Sequence, residues 1–260
     1  MTVQATTNLT RIALDVQEPV ARLTLHKPPL NIIDIPMMEE LAGALDAIES
    51  NPRIAVVVIS GSTNFSVGVD IAAHIPAKIQ EMLSKFHGVI MRLVASKKVT
   101  VAAVLRHCLG GGAELAMVCD LVYTSDSAIW GFPEIKLGCY PPVAATALAA
   151  LVGQKHASDL ILTGRTINGR EAASMGLANL AVPNDELDIT VGQALDHLLT
   201  LSPAALAVTK KAIYAWDSIH FDKGLARAEK IYLEELMKTS DVQEGVNAFM
   251  EKRTPRWTGK

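Results

Sequence analysis

One carboxylate, Glu114, lies in the first turn of a predicted helix that is otherwise apolar on nearly every side, directly after three glycines at 110–112. A carboxylate buried in such a helix is costly unless something holds it or uses it. The glycines permit unusual backbone conformations and the close approach of a ligand, and the helix start presents free N–H groups. The segment could therefore stabilise an oxyanion beside a carboxylate, although a tight strand-to-helix turn would give the same pattern.

Two loops could share a site with Glu114: the small-residue loop at 65–70 and the loop that carries Glu134. Taken alone, Glu134 is typical of a solvated loop carboxylate, and only its pairing with Glu114 makes it a candidate. Two carboxylates in one low-dielectric site push their pKa values apart, so that one of them can keep a proton near neutral pH. Such a pair can act as a general base and a general acid.

The predicted strands before these loops explain how the loops could meet. Apolar strands of the parallel-sheet type are predicted at 54–59 and at 99–105, the second of them entering the glycine turn. Ligands of parallel sheets gather beyond the carboxyl ends of the strands. If the two strands are parallel, they carry Val69 and Gly111 to the same edge, where their backbone N–H groups could converge on one oxygen atom.

Strands come early in the chain and helices come late, which predicts a mixed α+β fold. Alternating apolar residues at 11–26 predict a hairpin, and Asp34 and Pro36 mark the start of a helix. The C-terminal part of the chain is helical throughout. We therefore predict a core that contains the active site at 1–190, followed by a helical C-terminal region at 191–260.

The composition indicates one large domain, or one domain with an appendage, because the chain has 260 residues and half of them are hydrophobic. A formal net charge of −3 gives no reason to expect nucleic acid as a partner. No apolar run is long enough to span a bilayer, and the N-terminal residues lack an apolar signal core. The three widely spaced cysteines fit neither a disulfide framework nor a zinc site, so the predicted location is the reducing cytoplasm.

Other arrangements of reactive residues are weaker. Asp70 and His74 stand four residues apart and could share a metal ion, but no third ligand lies at a useful spacing. With Ser66 they could suggest a catalytic triad, but the sequence lacks a G-x-S-x-G elbow. We therefore predict no metal site. Four aromatic residues at helical spacing near the C-terminus are predicted to be packing residues: Tyr214, Trp216, Phe221 and Tyr232.

Several segments of the chain resemble, in the right order, the crotonase superfamily of enoyl-CoA hydratases and isomerases. They are residues 65–71, 110–116, 132–138, 162–165, 172–177 and 244–253. The resemblance covers nearly the whole chain, so it is far more specific than any single motif. It implies a spiral of ββα units and a helical C-terminal region that assembles homotrimers, often paired into homohexamers. It also implies an acyl-CoA thioester as the substrate, with no separate cofactor.

The same resemblance implies a role for each site residue. Val69 and Gly111 match the two positions whose N–H groups form the oxyanion hole of the family. Glu114 and Glu134 match its two catalytic glutamates, and the presence of both favours hydration. We expect Glu114 to act as the base toward water and Glu134 as the acid, or the two as a coupled pair. The predicted substrate-binding and CoA-binding residues are Ser66, Val67, Gly68, Asp70, Ile71, Gly110, Pro133 and Pro142.

The chain departs from the family pattern after Gly138. Many hydratases have a glycine-rich segment there, whereas this chain has Cys-Tyr-Pro-Pro-Val-Ala-Ala-Thr at 139–146. The altered loop borders the predicted acyl end and could shape a pocket for a flat cyclic group. Residues 28–34 and 136–145 are similar to cyclohexadiene-carbonyl-CoA hydratases of anaerobic aromatic degradation. Double-bond isomerisation, and a non-catalytic acyl-CoA-binding or RNA-binding role, stay open as alternatives.

Overall fold

The structure is a computed structural model that describes residues 9–258, apart from the side chains of residues 215–222. In this range strands and helices intermingle as far as Val182, and the chain is helical from Leu187 onward. This architecture confirms the predicted mixed α+β class. A boundary at residue 190 would fall inside the helix that begins at Leu187, and the division into two domains stays a prediction.

The described residues form nine strands in two sheets. The strands are β1 (Ile12–Gln17), β2 (Val20–Leu25), β3 (Val56–Gly61), β4 (Val99–Val104), β5 (His107–Leu109), β6 (Leu121–Ser125), β7 (Ile129–Gly131), β8 (Thr166–Asn168) and β9 (Leu180–Val182). The larger sheet has the order β1-β2-β3-β4-β6-β9, and the smaller one has the order β5-β7-β8. In the larger sheet β1 and β2 form the predicted antiparallel hairpin, and all other neighbours are parallel.

The helices cover the sheets and fill the C-terminal part. They are α1 (Ile35–Ser50), α2 (Ile79–Ala95), α3 (Gly111–Met117), α4 (Pro142–Val152), α5 (Gln154–Thr163), α6 (Gly169–Met175), α7 (Leu187–Leu199), α8 (Pro203–Glu234) and α9 (Ser240–Met250). The start of α1 is as predicted, because the Asp34 side chain accepts a hydrogen bond from the Met37 N–H (3.0 Å). Between residues 9 and 258, no helix is both long and apolar enough to cross a bilayer.

The parallel pairing of β3 with β4 brings the loops that follow them to the same edge of the molecule. All six residues of β4 are buried, as expected for a central parallel strand. The glycine turn does not follow β4 directly, and that prediction was wrong. The chain bends at Arg106, whose φ is +58°, and enters β5 in the smaller sheet, which then leads into Gly110 and α3.

Candidate active site

A cavity of about 90 Å³ lies between the loop after β3, the start of α3, the helix α2, the segment at 133–142 and Tyr232 of α8. One water molecule needs roughly 10–15 Å³ of such space, so the cavity has room for more than one small group. The predicted site residues that line it are Val67, Gly68, Val69, Ile71, Gly110, Gly111, Glu114, Pro133, Glu134 and Pro142.

The loop after β3 is held as an extended segment beside Ile33. The Ile33 N–H donates to the Gly68 carbonyl (2.9 Å), and the Asp70 N–H donates to the Ile33 carbonyl (3.1 Å). Alternate peptide groups of an extended chain point in opposite directions. The N–H group of the intervening residue, Val69, therefore points away from Ile33.

On its other side the same loop is bonded to β5. The Ser66 N–H donates to the His107 carbonyl (3.0 Å), and the Leu109 N–H donates to the Ser66 carbonyl (2.9 Å). The Ser66 hydroxyl donates to the Asn31 carbonyl (2.7 Å) and accepts from the Gly68 N–H (3.0 Å). These bonds fix the loop against the strand that carries the glycine turn.

Glycines allow the loop and the turn to touch. A Cβ atom at Gly111 would lie 2.6 Å from Val69 Cγ2 and 3.4 Å from Val69 N, and a Cβ atom at Gly68 would lie 3.3 Å from Gly111 N. Gly68 also has a φ of +104°, which other residues rarely adopt. The amides of Val69 and Gly111 are therefore neighbours on the cavity wall. No hydrogen bond within the described part of the chain uses either N–H, so both can donate to one ligand oxygen.

Glu114 is 3% exposed and is held by the first turn of α4. Its Oε1 atom accepts hydrogen bonds from the N–H groups of Val143 (2.8 Å) and Ala144 (2.9 Å). These N–H groups have no partner within α4, and Pro142 is tolerated at the first helical position because no donor is needed there. Burial raises the pKa of Glu114 to about 7, against the opposing effect of the two N–H groups.

Glu134 lies on a short 3₁₀ helix, Pro133–Leu137, and is held much less tightly. Its Oε2 atom is buried and has no hydrogen-bond partner in the described residues. Burial, followed by the negative charge of Glu114, raises the pKa of Glu134 well above its ordinary value. A Cβ atom at Gly110 would lie 2.7 Å from Glu134 Oε1, so the glycine turn also makes room for this carboxyl group.

Two predicted substrate-binding residues, Ser66 and Asp70, do not line the cavity. Ser66 makes the loop contacts given above, and Asp70 Oδ1 accepts from the Ala72 N–H (3.0 Å) at the start of a 3₁₀ turn. His74 does line the cavity, but its Nδ1 atom lies 3.2 Å from the Asp70 backbone carbonyl rather than the carboxylate. Ser66, Asp70 and His74 therefore form no triad. Nor do the described residues contain a cluster of three or more potential metal ligands.

The cavity also contains residues that the sequence did not assign to the site, among them Tyr140 and Tyr232. Tyr232 is 1% exposed, so its prediction as a packing residue describes its burial but not its position. Helical spacing predicts that a side chain is buried, but it does not indicate which residues or cavities the buried face contacts. Two other members of that aromatic set, Trp216 and Phe221, have side chains outside the described residues.

Several known hydratases are similar to this chain. The 2,3-dehydroadipyl-CoA hydratase of Escherichia coli K12 is 31% identical, covering 97% of this chain and 100% of that protein. The cyclohexa-1,5-dienecarbonyl-CoA hydratase of Thauera aromatica is also 31% identical, covering 96% of this chain and 97% of that protein. A solved enoyl-CoA hydratase from Mycobacterium avium subsp. paratuberculosis K-10 has a TM-score of 0.87 at 28% identity, covering 96% of this chain and 99% of that chain.

The sequence pattern of the family described as enoyl-CoA hydratase/isomerase matches residues 15–260. The match spans the glycine turn, both glutamates and the helical C-terminal part, so the relationship extends to the whole fold rather than to one motif. The chain therefore belongs to the enoyl-CoA hydratase/isomerase family and has the crotonase fold.

Proposed function

We propose that this protein adds water across the C=C bond of an α,β-unsaturated acyl-CoA thioester. The observation that carries the proposal is the presence of Glu114 and Glu134 in one cavity with the adjacent N–H groups of Val69 and Gly111, which make no hydrogen bond to the described residues. Membership of the family and the hydratase names of the relatives support this reaction class.

In the proposed mechanism the thioester carbonyl oxygen accepts hydrogen bonds from the Val69 and Gly111 N–H groups. Negative charge develops on this oxygen as water adds to the β-carbon of the conjugated system. Donors that are already oriented toward this charge lower the barrier, and the loss of one such donor typically costs roughly 3 kcal/mol.

The two glutamates move the protons. The water oxygen bonds to the β-carbon and one water proton passes to Glu114, whose Oε1 is occupied by the α4 amides so that Oε2 is available. Glu134, which holds its proton because of its raised pKa, gives that proton to the α-carbon. Each turnover thus protonates Glu114 and deprotonates Glu134. The transfer of one proton from Glu114 to Glu134 restores the starting state.

We propose that the acyl group of the substrate is a cyclic dienoyl group. One relative is named as a cyclohexa-1,5-dienecarbonyl-CoA hydratase. One wall of the cavity is aromatic, since the rings of Tyr140 and Tyr232 lie 5.2 Å apart at an angle of 57°. A flat ring can pack on such a wall, whereas a long straight chain would gain less from it.

The test is to incubate the purified protein with crotonyl-CoA, 2,3-dehydroadipyl-CoA and cyclohexa-1,5-diene-1-carbonyl-CoA. Loss of absorbance of the conjugated thioester and a product heavier by one water are expected, with the cyclic ester turned over fastest. Faster turnover of a linear ester would reject the cyclic acyl group but keep the hydration. A product of unchanged mass would indicate isomerisation instead, and no reaction with any ester would reject the proposal.

We also propose that the chain forms homotrimers or homohexamers in the cytoplasm. Phe249, Met250 and Trp257 near the C-terminus expose about half of their apolar side chains, which contacts between subunits would cover. Light scattering during size-exclusion chromatography measures the assembly, and a monomer would reject it. We expect no cofactor, because the hydration requires no oxidant or reductant and coenzyme A belongs to the substrate.

A further inference from the structure

Helix α8 contributes Tyr232 to the lining of the cavity, and the mechanism above does not use its hydroxyl. The residue is 1% exposed, and its hydroxyl makes no hydrogen bond of normal geometry to any residue that the structure describes. The Cys139 thiol lies beside it, but a thiol is a weak partner. A buried hydroxyl without a full partner destabilises a protein, so its presence calls for an explanation.

The position of Tyr232 relative to Glu134 is fixed by Tyr140. The Tyr140 ring lies against the Tyr232 ring, and the Tyr140 hydroxyl donates to the carbonyl of Ala228 (2.5 Å), one helical turn before Tyr232. Tyr140 follows Glu134 closely in the chain, so these contacts attach α8 to the segment that carries Glu134. Tyr232 therefore lies on the same side of the cavity as the segment that carries Glu134.

Two buried polar atoms, the Tyr232 hydroxyl and Glu134 Oε2, have no hydrogen-bond partner among the described residues and do not bond to each other, and both residues line one cavity. Two neighbouring side chains of the cavity differ in this respect, since the Tyr140 hydroxyl bonds to Ala228 and His74 Nδ1 faces the Asp70 carbonyl. A small oxygen-containing group between Tyr232 and Glu134 would satisfy both.

We propose that the Tyr232 hydroxyl and Glu134 Oε2 together bind the oxygen atom that the enzyme adds, as water before the reaction and as the hydroxyl group of the product afterwards. This inference rests on the proposed hydration and adds a third polar contact to the same site. Tyr232 is a positioning residue: it donates a hydrogen bond and no bond to its own proton breaks. Burial raises the pKa of Tyr232 above its ordinary value, so the hydroxyl keeps its proton.

The test compares two esters that differ by one hydroxyl group, 3-hydroxybutyryl-CoA and butyryl-CoA, in titration calorimetry. The wild type should bind the hydroxy ester about three- to tenfold more tightly, the usual net effect of one hydrogen bond. Tyr232→Phe should lose this preference and bind butyryl-CoA as before. Tyr123→Phe, a tyrosine of β6 that does not line the cavity, is the matched control and should keep the preference.

Hydration kinetics add a second measurement that a purely structural role would not reproduce. Tyr232→Phe should lower kcat about tenfold with KM within about twofold. The inference is overturned if the wild type shows no preference for the hydroxy ester, or if Tyr232→Phe retains it. Should that variant fold poorly, Tyr232→Met also lacks the hydroxyl and decides the question in the same way. If the wild type binds neither ester, this inference is rejected, and the hydration assay with the three unsaturated esters decides the proposed function separately.

Discussion

The two glutamates of the cavity come from regions that are built differently. Glu114 is carried by α3, and the first turn of α4 supplies two N–H groups to one of its oxygens. Glu134 is carried by a 3₁₀ turn, and one of its oxygens is buried without a hydrogen-bond partner in the part of the chain that the structure describes. Hydrogen bonds to the charged form stabilise a carboxylate, and burial without them stabilises the neutral acid.

This difference explains how one cavity can hold a base and an acid at the same pH. The pKa of Glu114 is raised to about 7, within reach of ionisation, while that of Glu134 is raised well above its ordinary value. The raised pKa of Glu134 depends partly on Glu114, because the negative charge of an ionised Glu114 favours the protonated form of Glu134. The following experiments test this difference between Glu114 and Glu134 by changing one feature of the site at a time.

The largest effect is expected from removing either carboxyl group. Glu114→Gln keeps an oxygen for the N–H groups of α4 but cannot take a proton, and Glu134→Gln cannot give one. Each change should lower the hydration rate by roughly 10²- to 10⁴-fold, the usual contribution of a general acid or base. Affinity for a saturated acyl-CoA should stay near that of the wild type in titration calorimetry.

The matched control for these two variants is Glu186→Gln, which alters an exposed glutamate just before α7. It should change neither the rate nor the affinity. Wild-type rates in both Glu114→Gln and Glu134→Gln would show that the assigned roles are wrong.

A somewhat smaller effect is expected from a change in the oxyanion hole, which holds the thioester oxygen while the two glutamates transfer protons. In Gly111→Ala the new Cβ would lie 2.6 Å from Val69 Cγ2, so the two amides must separate. The rate should fall by roughly 10²- to 10³-fold, as for the loss of one donor. Gly43→Ala is the matched control, since no atom lies within 4 Å of a Cβ there. If Gly111→Ala hydrates the substrate at the wild-type rate, the convergence of the amides is not required.

The pH dependence of the rate examines Glu114 directly. Below its pKa of about 7 this carboxyl is protonated and cannot act as the base. The value of kcat/KM should therefore rise by about tenfold per pH unit in acid solution and level off near neutrality, before the loss of the Glu134 proton lowers it again. A rate that is flat or falls between about pH 5 and pH 7 would contradict the role of Glu114 as base.

The smallest effect on activity is expected at Ser66, which supports the loop without lining the cavity. Ser66→Ala leaves the Asn31 carbonyl and the Gly68 N–H without their hydroxyl partner. The free energy of unfolding in urea should fall by about 1–3 kcal/mol, with only a few-fold loss of rate. Exposed Ser174 is the control, because Ser174→Ala should change stability by less than about 0.5 kcal/mol. A loss of rate as large as that of Gly111→Ala would mean that Ser66 contacts the substrate.

Much of the site could be predicted because its signals are local. The glycine turn before Glu114 and the capping residue Asp34 act on their own neighbours in sequence, and the structure has both. The apolar run that forms β4 could also be predicted, because a strand that is buried at every position needs apolar residues along its whole length.

The features that could not be predicted depend on contacts between distant segments. Strand β8 has three residues and exists only because it pairs with β7. The N–H groups that hold Glu114 come from α4, about 30 residues further along the chain. The approach of Tyr232 to the cavity depends on how α8 packs, and no periodicity within α8 specifies this.

The most direct test of the contrast between the two glutamates is their protonation, observed by difference infrared spectroscopy. At about pH 8, above the value for Glu114, the wild type should show the C=O band of one protonated buried carboxyl group. Because burial is the main cause of the raised Glu134 pKa, this band should persist in Glu114→Gln and vanish in Glu134→Gln. A wild type without the band, or a band that survives in Glu134→Gln, would contradict the assignment of Glu134 as the acid.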